Sequence, residues 1–236
     1  MTDTDFIYGT FIQETKNRFL CTVSIDSEQV ECYIPSSCRL SNFLDLKGRT
    51  VLLVPNQNKA ARTRFAVYAV KVGRQYILLN LAKPNRVIEA ELVSKRFSFL
   101  GKRSIIHHEK TIEGYKSDLY IEDTKTIVEI KSILSFDFTA VFPTVYSERA
   151  IKQLDIIAEL LDKGYRVFYM FASLNPGVKG VRLNHAIKEY TQAFQVCLNK
   201  GMTCYGFAVK LKKGMAAFEK RIPVILDEHS YISEKP

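Results

Sequence analysis

The chain has 236 residues, of which 47% are hydrophobic, 25% charged and 11% aromatic, with 11 Gly, 7 Pro and a formal net charge of +9; this excludes a disordered or fibrous chain and suits one large domain or two small ones, each with a true core. No apolar run approaches the roughly 18 residues that span a bilayer, and the start, Met1-Thr2-Asp3-Thr4-Asp5, lacks the basic-then-apolar pattern of a secretory leader. Five cysteines (Cys21, Cys32, Cys38, Cys197, Cys204) without a CxxC pair argue against a disulfide framework, so the expected setting is cytoplasmic, with no membrane partner.

The first half reads as β. Short β-branched or apolar runs at 19–25, 30–34, 50–54, 64–70 and 76–80 are separated by turn formers such as Asp26-Ser27, Lys47-Gly48, Pro55-Asn56 and Gly73. Five short strands at this spacing predict a small barrel of the OB type, a frequent oligonucleotide-binding shape, although an SH3-like barrel reads similarly. From residue 46 to residue 88 there is no Asp or Glu, but there are Lys47, Arg49, Lys59, Arg62, Arg64, Lys71, Arg74, Lys83 and Arg86. A one-sign stretch of this length makes a local positive field suited to a polyanion. Phe65, Tyr68 and Tyr76 are interleaved with it as a base-stacking surface requires, although alternating strands also send aromatics into the core. The best domain boundary lies near Lys83-Pro84-Asn85, giving a barrel over 1–84 and a second domain over 85–236.

The second half changes period. Strands are predicted at 112–121 and 126–133, a helix over about 147–163 closed by Gly164, and a strand at 165–171. A second helix follows over about 183–199 with Gly201 beyond it, and a last strand at 203–211. This alternation indicates an α/β layer with parallel pairing. Ala150, Ile151, Leu154, Ile157, Ala158 and Leu161 recur at helical spacing and form the core stripe of the first helix.

The residues that can carry chemistry lie between Glu109 and Lys131. In the strand at 126–133, Glu129 and Lys131 are two apart and project from one face, with Val128 and Ile130 on the other. A hairpin through Glu122-Asp123-Thr124-Lys125 brings Asp118 of the preceding strand to the Glu129/Lys131 face. Two carboxylates and an amine on an otherwise apolar sheet are costly to bury unpaired, and a divalent cation would relieve the repulsion between the acids. Hard carboxylate oxygens hold Mg²⁺ or Mn²⁺ while leaving room for water and a substrate phosphate, and an ammonium beside them can offset charge in the transition state. The bland alternative is an exposed hairpin with an ordinary Glu–Lys face.

At these residues the sequence resembles the sugar fermentation stimulation protein A family, from Arg18-Phe19-Leu20 through Met215 to Ile222-Pro223-Val224-Ile225-Leu226. The most specific pieces are Val128-Glu129-Ile130-Lys131-Ser132 and Phe142-Pro143, followed by Glu148-Arg149 and by Lys152 and Leu154. The resemblance implies an N-terminal OB-like β-barrel followed by a PD-(D/E)xK-type nuclease domain, a mixed β and α/β architecture acting on DNA and/or RNA with a divalent metal. Carried over, it implies Asp118 and Glu129 as metal ligands, Lys131 as the catalytic lysine and Glu109 as an accessory acid. Four places depart from the family. Thr144 stands where an Asp usually follows Phe-Pro, and Tyr115-Lys116 replaces Ser-Arg. Ser36-Ser37-Cys38 replaces Asn-Thr-Gly, and Ala150 and Gln153 stand where Gly and His are common. Because Asp118, Glu129 and Lys131 are all present, catalysis is expected to be retained with altered substrate preference.

Candidate nucleic-acid contacts are Arg49, Arg62, Arg64 and Arg74 on the barrel and Lys116, Arg149 and Lys152 beside the acids. Arg149 and Lys152, with Gln153, fall on the first turns of the helix after the hairpin, where an anion is favoured; the alternative is ordinary solvated helix-surface charge. His107 and His108 point to opposite sides of a strand and do not make a zinc site. No Walker loop, GxGxxG or Gly-flanked nucleophile is present. The sequence therefore predicts a Mg²⁺- or Mn²⁺-dependent nuclease. The alternatives are a non-catalytic DNA-binding regulator of sugar-metabolism genes and a structural adaptor. The oligomeric state, a homodimer included, is left open, as are the choice between DNA and RNA, endo- or exonucleolytic cutting, and the effect of Thr144.

Overall fold

The computed structural model describes residues 6–17, 19–35, 39–42, 44–56, 61–80 and 83–226. Six strands open the chain: β1 (Ile7–Glu14), β2 (Leu20–Ile25), β3 (Glu28–Tyr33), β4 (Thr50–Pro55), β5 (Phe65–Val72) and β6 (Gln75–Leu78). Their order is β3-β2-β1-β4-β5-β6, and a parallel pairing of Cys32 with Phe65 and Tyr33 with Ala66 joins β3 to β5. Strands β1 to β5 thus close an OB-like barrel, which leaves no free sheet edge among them. The sequence reading put the fifth barrel strand at 76–80 and had none before Phe19; the fifth strand is β1, paired between β2 and β4, and β6 lies outside the closure. Strand β1 hides its alternation because Gly9 occupies an inward position. A Cβ there would lie 2.4 Å from Val23 Cγ1, so only glycine lets β1 and β2 approach.

Helix α1 (Lys83–Leu92) follows the barrel directly, where the sequence reading had only a boundary. Pro84 in its first turn is compatible with a helix start, and Val87, Ile88 and Leu92 are buried at helical spacing.

The remaining chain supplies β7 (Ile106–His108), β8 (Thr111–Ile112), β9 (Tyr115–Lys116), β10 (Leu119–Ile121), β11 (Thr126–Ile133), β12 (Thr139–Phe142), α2 (Glu148–Asp162), β13 (Arg166–Ser173), β14 (Gly180–Leu183), α3 (Lys188–Asn199), β15 (Thr203–Lys212), β16 (Met215–Ile222) and β17 (Val224–Ile225). The main sheet runs β16-β15-β13-β11-β10-β7, with β11, β13 and β15 parallel to one another. Strands β12, β14 and β17 form a smaller parallel sheet. One face of the main sheet packs Ile127, Tyr169 and Phe171 with Leu154 and Ile157 of α2 and Phe194 of α3. The other packs Val128, Ile130, Met170 and Phe207 into a core continuous with Val87 and Ile88 of α1 and with the barrel interior. The Leu78 N–H also donates to the Leu174 carbonyl at 3.2 Å, so barrel and sheet are tied by backbone as well as by apolar contact.

Three expectations are corrected here. The strand predicted over 112–121 is broken by a hairpin, because Glu113 and Gly114 both take positive φ (47° and 85°) in the turn between β8 and β9. Leu183 ends β14, and helix α3 begins only at Lys188. In α2 the buried stripe includes Leu160, whereas Leu161 is half-buried. The end of α2 is as expected: Gly164 takes φ +82°, and the Tyr165 N–H reaches the Leu160 carbonyl. Among the described residues no helix is long and apolar enough to cross a membrane.

Candidate active site

Strand β11 is central, and its residues 126–130 are buried without interruption. A charged side chain in such a run must find partners. Glu129, about 4% exposed, has two. Its Oε2 accepts from the Tyr115 hydroxyl at 2.5 Å, and its Oε1 accepts from Lys131 Nζ at 2.6 Å. Lys131 also donates to Gln153 Oε1 of α2 at 3.0 Å, and its ammonium lies 5.7 Å from the centre of the Tyr169 ring. The i, i+2 spacing puts Glu129 and Lys131 on the face covered by α2, and these contacts form one chain: Tyr115, Glu129, Lys131, Gln153.

Asp118 enters from the bend just before the neighbouring strand β10. Leu119 pairs with Val128 in the antiparallel ladder of β10 and β11, and Asp118 lies one residue before it, level with the Glu129 end. Its Oδ2 accepts from the Ile130 N–H at 2.7 Å, and its Oδ1 accepts from Asn85 Nδ2 at 3.1 Å. Burial first, and the charge of Glu129 second, push the Asp118 carboxyl up to about 6; the Ile130 N–H, Lys131 and Asn85 oppose the rise without cancelling it. Burial likewise raises the Tyr115 phenol, so at neutral pH it donates to Glu129.

These groups open on a cleft of about 340 Å³ whose walls include Tyr115, Asp118, Glu129, Arg149 and Gln153. Glu109 stands at its rim, exposed, with its carboxylate on Lys116 Nζ at 2.5 Å and its backbone N–H on the Asp118 carbonyl. That ion pair holds the Glu109 carboxyl below the usual range. Arg149, in the first turn of α2, lines the cleft, whereas Lys152 points away and pairs with Glu148 one turn earlier on the helix surface. For Lys152 the surface-charge alternative describes the geometry.

The barrel arginines do not reach the cleft. Arg49 donates through Nε to the Asp45 carbonyl at 2.6 Å and stacks 4.8 Å from the Phe136 ring of the second domain, so it is a packing residue. Arg62 pairs with Glu31 at 3.0 Å, Arg64 lies over Phe65, and Arg74 is exposed in the turn between β5 and β6. Of the interleaved aromatics, Tyr68 is buried and Phe65 and Tyr76 are half-buried. The Ser36-Ser37-Cys38 departure lies outside the described residues, and Thr144 is exposed in the loop after Phe142-Pro143.

Sequence reasoning missed Asn85, and it assigned no contact to Tyr115. Asn85 is 33 residues from Asp118 on an unrecognised helix; the signal available was the helical recurrence of Val87, Ile88 and Leu92 behind Pro84. Tyr115 was read within a continuous strand, and the Glu113-Gly114 turn that swings it toward Glu129 was overlooked.

A family model described as the sugar fermentation stimulation protein RE domain matches residues 82–215, and one described as the SfsA N-terminal OB domain matches residues 14–79. A sugar fermentation stimulation protein homolog from Ruminiclostridium cellulolyticum is 25% identical over 222 residues, covering 92% of this chain and 96% of the relative. The homolog from Clostridium acetobutylicum is 23% identical over 215 residues, covering 89% and 93%. Among solved structures, Pyrococcus furiosus SfsA in complex with Ca²⁺ aligns with a TM-score of 0.78 at 18% identity, over 95% of this chain and 97% of that one. At that identity the likeness is one of fold.

Proposed function

This chain belongs to the sugar fermentation stimulation protein family, and we propose that it is a divalent-metal-dependent nuclease hydrolysing phosphodiester bonds of DNA and/or RNA. The observation that carries the reading is that Asp118 and Glu129 line one open cleft, with Lys131 bonded to Glu129 and Asp118 held well above its ordinary range by burial and by its fellow acid. Lys131, bonded to Glu129 and Gln153, offsets the charge on Asp118 only in part. The donors of the acid pair are hard oxygens, which fit Mg²⁺ or Mn²⁺. Each Glu129 oxygen accepts a single hydrogen bond and keeps a second lone pair. The Pyrococcus furiosus relative was solved with Ca²⁺, another hard cation, which supports a divalent-cation site in this fold.

Asp118 and Glu129 would hold the ion, which when bound polarises the scissile phosphate and lowers the pKa of a coordinated water. Lys131, fixed between Glu129 and Gln153, sets an ammonium where negative charge builds on the phosphate. Tyr115 fixes the Glu129 carboxylate. Arg149, at the N-terminal turn of α2, is placed to hold a phosphate beside the reacting one. The exposed barrel cations Arg62, Arg64 and Arg74 serve flanking nucleic acid rather than the reacting group.

The test is incubation of the protein with labelled single- and double-stranded DNA and RNA, with and without Mg²⁺ or Mn²⁺. Metal-dependent cleavage is expected, and Asp118→Ala or Lys131→Ala should lower it by about a hundredfold to a thousandfold. Absence of cleavage on all four substrates, or unchanged cleavage in both variants, removes the reading. Salt-sensitive binding indifferent to EDTA, without cleavage, would favour the regulator instead.

A further inference from the structure

Asp118 lies between the two-residue β9 and the three-residue β10, outside both strands, with its carbonyl accepting from the Glu109 N–H. Among the described residues its carboxylate is fixed by two donors: the Ile130 N–H on Oδ2 and the Asn85 side-chain amide on Oδ1. One contact alone leaves the carboxyl free to pivot about a single hydrogen bond, while two on different oxygens fix both its position and its plane. The second donor comes from α1, outside the sheet, the hairpin and α2 that build the walls of the cleft.

Asn85 is itself well anchored. Pro84 before it and Val87 and Ile88 after it are buried, and α1 packs on β11 and β16 through the core that also fills the barrel. The polarity of the contact is fixed as well: an ionised carboxylate only accepts, so the amide NH₂ must face it.

We infer that Asn85 is a positioning residue for Asp118, through which the helix joining the barrel to the sheet sets the orientation of a metal-binding carboxylate. This rests on the nuclease reading above. Donors that orient metal-binding side chains contribute tenfold to a hundredfold to metal affinity or activity when removed. A helix tie with no role at the cleft would instead change melting temperature alone.

The experiment measures Mn²⁺ affinity by titrating the full-length protein, together with the metal-free melting temperature and kcat and KM on the substrate cleaved by the wild type. Asn85→Ala is compatible with the first turn of α1, since alanine is the strongest helix former. Asn85→Leu keeps similar bulk without a donor and provides a second variant. In either variant that retains the wild-type fold, Mn²⁺ affinity should fall tenfold to a hundredfold, kcat at fixed Mn²⁺ should fall, and KM should stay. Nucleic-acid binding in EDTA should be unchanged. Asn85 variants binding Mn²⁺ within twofold of wild type, while Asp118→Ala does not bind, overturn this proposal alone; so does a lowered melting temperature with unchanged Mn²⁺ affinity. A wild-type protein that takes up no Mn²⁺ overturns both this proposal and the nuclease reading.

Discussion

On one face of β11, Val128 and Ile130 pack among apolar side chains from α1, β13 and the barrel. On the other, at alternate positions of the same strand, Glu129 and Lys131 sit under α2 in a chain of hydrogen bonds with Tyr115 and Gln153. Each apolar side chain contributes about 1.5–3 kcal/mol by leaving water. The polar side chains gain nothing comparable, because desolvating a charge offsets most of the attraction to its partner. A strand buried on both faces normally reads as an apolar run, so the polar face of β11 is not explained by folding. Val128 and Ile130 serve folding stability, whereas Glu129 and Lys131, set between the buried Ile127 and Ile133 on their own face, carry the proposed chemistry, so substitutions at the two pairs should have separable effects.

The largest effect on stability is expected from the apolar face. Val128 is fully buried, and Val128→Ala removes two methyl-sized volumes from a continuous core. Loss of about 2–3 kcal/mol is expected by urea denaturation, with Mn²⁺ affinity unchanged. A fall in metal affinity of tenfold or more would show that the two faces are coupled and break the comparison.

The polar face should respond with the opposite sign. Asp118→Asn is near-isosteric: the new side chain can still accept from Ile130, and its NH₂ can meet the carbonyl oxygen of a flipped Asn85 amide. It removes one of two neighbouring negative charges. The Asp118 carboxyl is raised from its ordinary value of 3.8 to about 6. The folded state is therefore penalised when this group is ionised, fully above about pH 6, and the penalty fades as pH falls toward 4. Metal-free Asp118→Asn should be more stable than wild type by about 1–3 kcal/mol above pH 6, with the difference closing near pH 4. It should also lose divalent-metal stabilisation. A variant less stable than wild type at pH 7 would remove the case that burial and the neighbouring acid penalise the ionised Asp118.

How far these features were legible follows from the physics of each residue. The shared face of Glu129 and Lys131 follows from the two-residue period of a strand, and the arrival of Asp118 from a hairpin. The core of α2 follows from helical recurrence. Strand β1 was hidden because steric closeness to Val23 demands Gly9 at an inward position, which erases the hydrophobic alternation that sequence patterns depend on. The Asn85–Asp118 contact bridges 33 residues of sequence, and no local periodicity encodes a hydrogen bond between helix and hairpin. Lys152 and Arg149 look alike in sequence. Only the rotation of α2 places Arg149 on the cleft and leaves Lys152 beside Glu148 in solvent.

The smallest effect, and the sharpest test of the division between faces, is expected from Gln153→Leu. Gln153 is half-buried on the cleft wall, and its Oε1 accepts from Lys131 at 3.0 Å. Leucine of similar volume removes an acceptor for a charged donor, a loss of about 1.5–3 kcal/mol. Burying its extra apolar surface offsets roughly 1 kcal/mol of that, and water reaching Lys131 from the open cleft offsets more, so net stability should change by less than about 1 kcal/mol. Lys131 keeps its bond to Glu129 but loses one of the two contacts that set its direction, and kcat should fall about threefold to tenfold, the low end for residues that act through another. Chemical denaturation and steady-state kinetics on the same preparation separate the two numbers. A large loss of stability with unchanged kcat would make the Tyr115–Glu129–Lys131–Gln153 chain a structural brace, and the polar face of β11 would then serve folding after all.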